Sequence, residues 1–337
     1  MSSACASLFR LVSFPALLLA PVLTAAPTPS PALLVLNKDV NELAIVDPRT
    51  HNVVARIPTG ESPHEVAASA DGKLAFVTNY GTGQNPGKTL SVIDLTAQKE
   101  LRRVDLTPLS RPHGIWVAGG KVYFTAEQNK AIGRYDPAAG VIDWILGTGQ
   151  NSTHMVLVNR DQSRIFTANI GSDSITQMDR GANPGAWNLT VIPVGKGPEG
   201  MDLSPDGTQL WAANSRDGSV SIIDTGMRKV IHTVPIGTKR SNRLKFSPDG
   251  KLVLVSDMEG GEVFVLDAQT REQRMRLRVG RSPEGILMAP DGSVAYVAAA
   301  GENKVALIDL KKLELTGRLS PGTGPDGLAW AGRDGDK

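Results

Sequence analysis

Residues Gly197 to Gly237 read GPEGMDLSPDGTQLWAANSRDGSVSIIDTGMRKVIHTVPIG. Four short β-type runs can be parsed from this stretch. Met201-Asp202-Leu203 closes on the turn Ser204-Pro205-Asp206-Gly207. Gln209 to Ala213 ends at Asn214, Ser219 to Ile223 ends at Asp224, and Lys229 to Ile236 ends at Gly237. Within each run, apolar and β-branched residues alternate with polar ones, as a strand with two unlike faces requires. Gly, Pro, Asp and Asn punctuate between runs, where the chain must turn.

Working outward, the same unit recurs along nearly the whole chain, so the repeat is read first. Two markers fix its register independently. An acid ends the third run at Asp47, Asp94, Asp136, Asp179, Asp224, Asp267 and Asp309, in steps of 47, 42, 43, 45, 43 and 42 residues. A polar residue opens the first run at His64, His113, His154, Glu199, Asn242, Glu284 and Asp326, in steps of 49, 41, 45, 43, 42 and 42. A repeat of this length with four strands is the blade of a β-propeller. The expected fold is therefore all-β, with seven blades of four antiparallel strands. The first copy lacks an inner strand: Leu33 to Asn37, Glu42 to Asp47 and Val53 to Ile57 supply only strands two to four. The last copy is only an inner strand, Asp326 to Ala331. The two ends are expected to share one blade, with the C-terminal strand innermost, which closes the ring and removes its open edges.

Several of these runs also resemble a known repeat. Phe76-Val77-Thr78-Asn79 with Leu90-Ser91-Val92-Ile93-Asp94 is similar to the YVTN repeat, as are Phe166-Thr167-Ala168-Asn169, Ser221-Ile222-Ile223-Asp224 and the turn at 204–207. The resemblance covers about residues 33 to 331 and implies a bacterial seven-bladed propeller of the broad YncE-like group. It implies the fold, not the function, because one scaffold hosts many unrelated sites.

Composition fits one closed domain, although 337 residues alone would suggest two. Aromatics make up only 5% of the chain, so Val, Ile, Leu and Ala carry the apolar load, as suits thin sheets packed face to face. The N-terminus reads differently. Leu11 to Leu23 is an apolar run behind Arg10, followed by Thr24-Ala25-Ala26. That is the shape of a secretory signal, and it is too short to span a membrane as a helix. The expected organisation is a signal peptide over 1–25, a Pro-rich linker over 26–32, a propeller over 33–331 and a polar tail over 332–337, in a periplasmic or secreted protein. The single cysteine, Cys5, lies inside the signal, so the mature chain would have no disulfide, thiolate nucleophile or Cys-ligated metal. The net charge of +2 and the scattered basic residues give no stripe for nucleic acid and no polybasic membrane patch. Two insertions stand out: Gly81 to Lys88 between second and third strands, and Gly181 to Ala186 between third and fourth. The first is expected on the same face as the starts of the inner strands, beside His64.

Other enzyme classes fail on inventory. Gly195-Lys196-Gly197 leads into a strand rather than a helix, so it is no phosphate loop. There is no Gly-x-Ser-x-Gly elbow and no haem-attachment motif. The acids ending the third runs each begin a turn and are read as turn residues that accept backbone amides two residues on. His51 and His232 lie near outer strands and are read as surface residues.

The inner-strand starts remain. In a propeller they converge at one mouth of the central channel, where His64, His113, His154, Glu199, Asn242, Glu284 and Asp326, with Arg243, would bind a small polar ligand or a protein partner. Neutral imidazoles plus a carboxylate also form a divalent-metal ligand set, so His64, His113, His154 and Glu199 are the candidate metal ligands and a divalent metal ion the candidate cofactor. The same ring could instead do acid–base work in an enzyme of lactonase or lyase type, or be a plain polar rim on a structural cell-surface module. Second-strand ends at Asn79, Glu127, Asn169, Asn214 and Asp257, with Arg111 and Arg281, would line the same bowl. A monomer without nucleic-acid partner or transmembrane segment is expected, and the inventory favours binding over catalysis.

Overall fold

The computed structural model describes Met1, residues 26–183 and residues 185–332. The expected signal peptide and most of the polar tail lie outside the described residues. The described residues form 28 strands in seven four-stranded antiparallel sheets, each a blade. Blade 1 is the composite one: its order is Pro325–Ala331, Ala32–Asn37, Glu42–Val46, Val53–Pro58. The C-terminal strand is innermost and pairs antiparallel with Ala32–Asn37, Leu33 opposite Trp330 and Val35 opposite Leu328. Closure at this blade is therefore as the split repeat predicts. The inner strands of blades 2 to 7 are Pro63–Ala68, Pro112–Ala118, Thr153–Val158, Pro198–Leu203, Ser241–Phe246 and Pro283–Met288.

The core lies between neighbouring blades, not within any one. Ala32, Leu34, Leu36, Leu43 and Ile45 of blade 1 pack on Val66, Ala75, Val77 and Ile93 of blade 2, and equivalent layers recur around the ring. The opposite face of the same blade-1 strands, Leu33, Val35, Ala44 and Val46, packs on Tyr296, Val305 and Leu307 of blade 7. Two apolar faces per blade explain why strand Ala32–Asn37 is buried throughout and reads as a continuous apolar run. Outer strands alternate instead. Val141–Gly147 exposes every second residue, as an edge facing solvent does.

The turn reading of the repeated acids holds for six of seven. Asp47, Asp94, Asp136, Asp224, Asp267 and Asp309 each accept the amide two residues on, at 2.8–3.0 Å. Those backbone bonds are the main reason the Asp47, Asp267 and Asp309 carboxyls lie below their usual range, and at Asp136 they add to the Lys121 contact. Asp179 stands before the Gly181–Ala186 insertion and instead accepts from Gln177 at 3.0 Å and Arg228 at 2.8 Å. His51 and His232 are exposed, as expected.

Two backbone features aim the inner strands. Every inner strand carries a register shift at its start, for example between Pro63 and Val66, Pro112 and Ile115, and Pro198 and Met201. The bulge frees the opening residue from the ladder and turns its side chain to the axis. The next position is Gly in four blades, because the neighbouring strand passes against it. A Cβ on Gly114 would sit 2.7 Å from the His154 carbonyl oxygen, and one on Gly200 would sit 2.6 Å from the Arg243 Cα. In three blades a second-strand hydroxyl then ties the opening residue to the preceding blade. Thr78 Oγ1 donates to the His113 carbonyl at 2.7 Å, Thr125 Oγ1 to that of His154 at 2.8 Å, and Ser256 Oγ to that of Glu284 at 2.9 Å.

Candidate functional site at the channel mouth

The bulges bring the seven opening residues to one end of the channel, and they sort into three groups. The first is aromatic. His113 stacks on His154, ring centroids 3.6 Å apart, and meets His64 edge-on at 5.1 Å. Tyr80 completes the cluster, 4.5 Å from His64 and 5.2 Å from His113, and Arg111 lies over its outer face at 4.3 Å. Burial and the neighbouring rings hold the His113 imidazole well below its usual pKa, so it is neutral, and its Nδ1 has no partner. Burial likewise lowers His64, against the pull of Asp326. His64 Nδ1 donates to the Ser62 carbonyl at 2.9 Å, which fixes its tautomer.

The second group is a short relay. His154 Nδ1 donates to Glu127 Oε1 at 2.5 Å, and the Tyr80 hydroxyl donates to Glu127 Oε2 at 2.7 Å. Burial opposes ionisation of Glu127, but the hydrogen bonds to its charged form outweigh it, so its pKa lies below the usual range. Burial, and then the same carboxylate, push the Tyr80 phenol up. His154 Nε2 is buried without a hydrogen-bond partner, 3.9 Å from Glu199.

The third group is ionic. Arg243 is buried and bridges across the channel to Glu65, with Asn242 Oδ1 accepting from it at 3.1 Å. Asn242 Nδ2 donates to Glu199 at 2.6 Å. On the other side, Lys38 Nζ reaches Glu284 at 2.8 Å and Asp326 at 3.3 Å. Glu284 and Asp326 are like charges side by side. Burial and Asp326 push Glu284 up to about 8, while Lys38 keeps Asp326 below its usual value against burial. Glu284 therefore keeps its proton to higher pH than Asp326 does.

All eight sequence-derived site residues thus lie at this mouth, but the histidines do not present themselves as metal ligands. Among the described residues, no group of three or more His, Cys, Asp or Glu side chains is arranged to hold a metal ion. His113 and His154 stack with their rings tilted by 31°, and the Nδ1 atoms of His64 and His154 are already bonded, which leaves only Nε2 of those two rings for any ligand.

The expected second row needs correction by one residue. Asn79, Asn169, Asn214 and Asp257 are buried and serve the backbone and neighbouring hydroxyls. Asn79 accepts from Gly60 N at 3.0 Å and donates to Thr89 Oγ1, and Asp257 accepts from Lys239 N and Arg240 N. The residue after the strand end is the one that turns into the bowl. In register with Asn37, Asn79, Ala126, Asn169 and Asn214, these are Lys38, Tyr80, Glu127, Ile170 and Ser215. Of that row, only Glu127 was named from sequence. Lys38, Tyr80 and Glu65 were missed, although Glu65 and Arg243 stand where most copies have Gly. Arg281 is exposed and bonds the Gly301 carbonyl rather than the bowl. The Gly81–Lys88 insertion extends the hairpin, Gly81 pairing Pro86, and its strand carries Tyr80.

Above these groups opens a cavity of about 560 Å³. Tyr80, Glu127, His154 and Glu199 line it, and Arg216, Lys239 and Arg240 stand exposed at its edge. None of those three cations makes an ion pair among the described residues. Glu127 and Glu199 are already hydrogen-bonded, and Glu259 is the remaining carboxylate of the wall.

Comparison with known proteins agrees on the fold. Residues 198–311, blades 5 and 6 with the first three strands of blade 7, match the family described as Cytochrome D1 heme domain. That segment is about a third of the chain and contains Glu199, Asn242, Arg243 and Glu284 but none of the three clustered histidines. No curated protein matches the sequence. A functionally unknown protein from Desulfotomaculum acetoxidans superposes with a TM-score of 0.75 at 13% identity, covering 90% of this chain and 100% of the other. A candidate 6-phosphogluconolactonase from Bacteroides uniformis gives 0.73 at 15% identity, covering 90% and 99%. The dihydro-heme d1 dehydrogenase NirN, solved in complex with DHE, gives 0.64 at 16% identity, covering 93% and 77%. At these identities the likeness is one of fold.

The chemistry of the bowl does not suit a haem-type group. Among its lining side chains Ile170 is the one aliphatic residue. A flat macrocycle needs apolar walls on both faces, and this wall is polar and ionic. The residues present do not fit it.

Proposed function

We propose that this chain is an exported propeller of YVTN type that binds a small organic anion at the mouth of its central channel. The observation that carries this is the set of Arg216, Lys239 and Arg240, unpaired cations at the edge of a cavity of about 560 Å³. Their charge suits a carboxylate or phosphate, and guanidinium groups hold such oxyanions in pairs of hydrogen bonds. Glu259 and the relay below suit hydroxyl groups of the same ligand. A family description and a neighbour's title that both name haem d1 support small-molecule binding on this scaffold. The lactonase-titled neighbour supports a sugar acid or sugar phosphate. Calorimetry with 6-phosphogluconate, gluconate and inorganic phosphate tests it. One-to-one binding of at least one of them is expected, weakened at least tenfold in Arg216→Ala/Lys239→Ala/Arg240→Ala and weakened by salt. Absence of binding, or equal binding by the variant, rejects it.

A second reading has one specific observation behind it. With Nδ1–H bonded to Glu127, His154 Nε2 bears a lone pair and no partner. An imidazole oriented by a carboxylate, with its other nitrogen unpartnered beneath a cavity, has the makings of a general base. In lactone hydrolysis, Nε2 would take a proton from water as the hydroxide oxygen bonds the carbonyl carbon. The same proton would then pass to the ring oxygen as the C–O bond breaks. Hydrolysis of 6-phosphogluconolactone above the spontaneous rate, lost in His154→Asn and reduced in Glu127→Gln, is the expected outcome. A rate identical in His154→Asn rejects it.

Export rests on the Leu11 to Leu23 run. Mass spectrometry of protein from the native host should show a start close to Ala26. Full-length protein in the cytoplasm would oppose this reading.

A further inference from the structure

Below the Arg243–Glu65 bridge the channel widens again into a second cavity of about 250 Å³. Its wall differs in kind from the bowl. Trp116, Met155, Met201, Leu287, Leu328 and Trp330 of the inner strands line it, while also packing in the layers between blades. Arg243 and Glu65 form its roof, since they follow the mouth residues directly in the inner strands. Trp116, Met155, Leu287 and Leu328 keep partly exposed surface, and all four border the cavity.

The geometry points to a second binding site here, for a small neutral aromatic molecule, separate from the anion bowl. Charge decides the class. Both cations in the wall already hold a carboxylate: Arg243 holds Glu65, and Lys245 Nζ lies 3.4 Å from Asp202 Oδ1. No wall charge is left for an ionic ligand, and an unpaired ligand charge would carry its full desolvation cost. Size sets the bound. An apolar cavity of about 150 Å³ is known to hold benzene, so this one takes a molecule somewhat larger, of indole size. The wall sets the preference. Two methionines offer thioether contacts to an aromatic edge, and the two tryptophans offer ring contacts. Sequence alone hides this site, because its apolar residues are ordinary positions of six separate inner strands.

Calorimetry with indole on the whole protein tests it, with indole-3-carboxylate as the charged analogue. The expected result is saturable one-to-one binding of indole, at least tenfold tighter than that of the carboxylate. Nuclear Overhauser contacts from indole to the methyl groups of Met155 and Met201 locate it without any substitution. Ala67→Phe and Leu328→Trp, each filling the cavity, should weaken indole at least tenfold. The Arg216/Lys239/Arg240 triple alanine variant should leave it unchanged, which separates this site from the bowl. Lack of saturable binding, absence of the two methyl contacts, or tighter binding of the carboxylate would each overturn the proposal.

Discussion

At the scale of single residues, the channel mouth stores opposite pH dependences side by side. His113 is held neutral by burial, so the folded protein resists taking a proton that the unfolded chain takes near pH 6.5. Its contribution to stability is therefore present above that pH and lost as pH falls below it. Glu284 has the reverse sign. Its folded pKa of about 8 lies above the value of 4.5 it has when free, so its contribution is present below pH 4.5 and lost as pH rises toward 8. Thermal melts from pH 4 to 9 should show this. Glu284→Gln is expected to flatten the alkaline fall, raising stability at pH 8 by about 1–2 kcal/mol relative to wild type. His113→Asn should flatten the acid fall. Unchanged curves in Glu284→Gln would mean that Lys38 fully compensates both carboxylates. These residues also mark the limit of the sequence reading. The opening residues were legible because a repeat marks them seven times. Lys38, Tyr80 and Glu127 share one row, yet differ in type in every blade and stand one residue past the visible strand end. The stacking of His113 on His154 was not legible at all, since it depends on ring rotation rather than on spacing.

At the scale of the element, the inner strand explains why the site is so placed. A bulge turns the opening residue inward, a Gly lets the next strand pass, and in three blades a hydroxyl from the preceding blade fixes the carbonyl. These parts are local, so each can be removed singly. Gly114→Ala would set a methyl against the His154 carbonyl. It should destabilise by roughly 1–3 kcal/mol, the cost of overpacking. It should also move His154 and so disturb the relay to Glu127. Thr125→Val would leave that same carbonyl short of its 2.8 Å donor and should cost about 1–3 kcal/mol. Urea unfolding of both variants checks the magnitudes. A Gly114→Ala protein of wild-type stability would show that the strand spacing is looser than described. Composition signalled this device only in part. The Pro-x-Gly openings are visible in the sequence, but the bulge is not, because it is a property of pairing and not of any one strand.

At the scale of the whole molecule, the ring is held by one strand from the far end of the chain. Pro325–Ala331 pairs with Ala32–Asn37, packs between blades 7 and 2, and supplies Asp326 to Lys38. Its Trp330 donates to the Met288 carbonyl at 2.8 Å. Ending the chain at Gly324 would strip the ladder bonds from Ala32–Asn37 and open both flanking layers to water. A strand with two buried faces and a buried ladder contributes on the scale of a whole domain's stability, roughly 5–15 kcal/mol. The truncated protein should therefore not melt cooperatively. Loss of folding could also come from simple loss of mass, and a permutant separates the two causes. The ends meet in space, Ser30 Oγ lying 3.4 Å from the Gly332 carbonyl oxygen. Joining residue 332 to Ser30 through a short glycine linker, and opening the chain between Leu319 and Gly324, keeps all seven blades. It converts the closing strand into one arm of an ordinary hairpin. That permutant should fold and melt within a few degrees of wild type, while the truncation does not. Cooperative melting of the truncated chain at the wild-type temperature would refute closure by this strand. Failure of the permutant alone would mean that closure depends on the strand arriving last, as the final piece of a ring already formed.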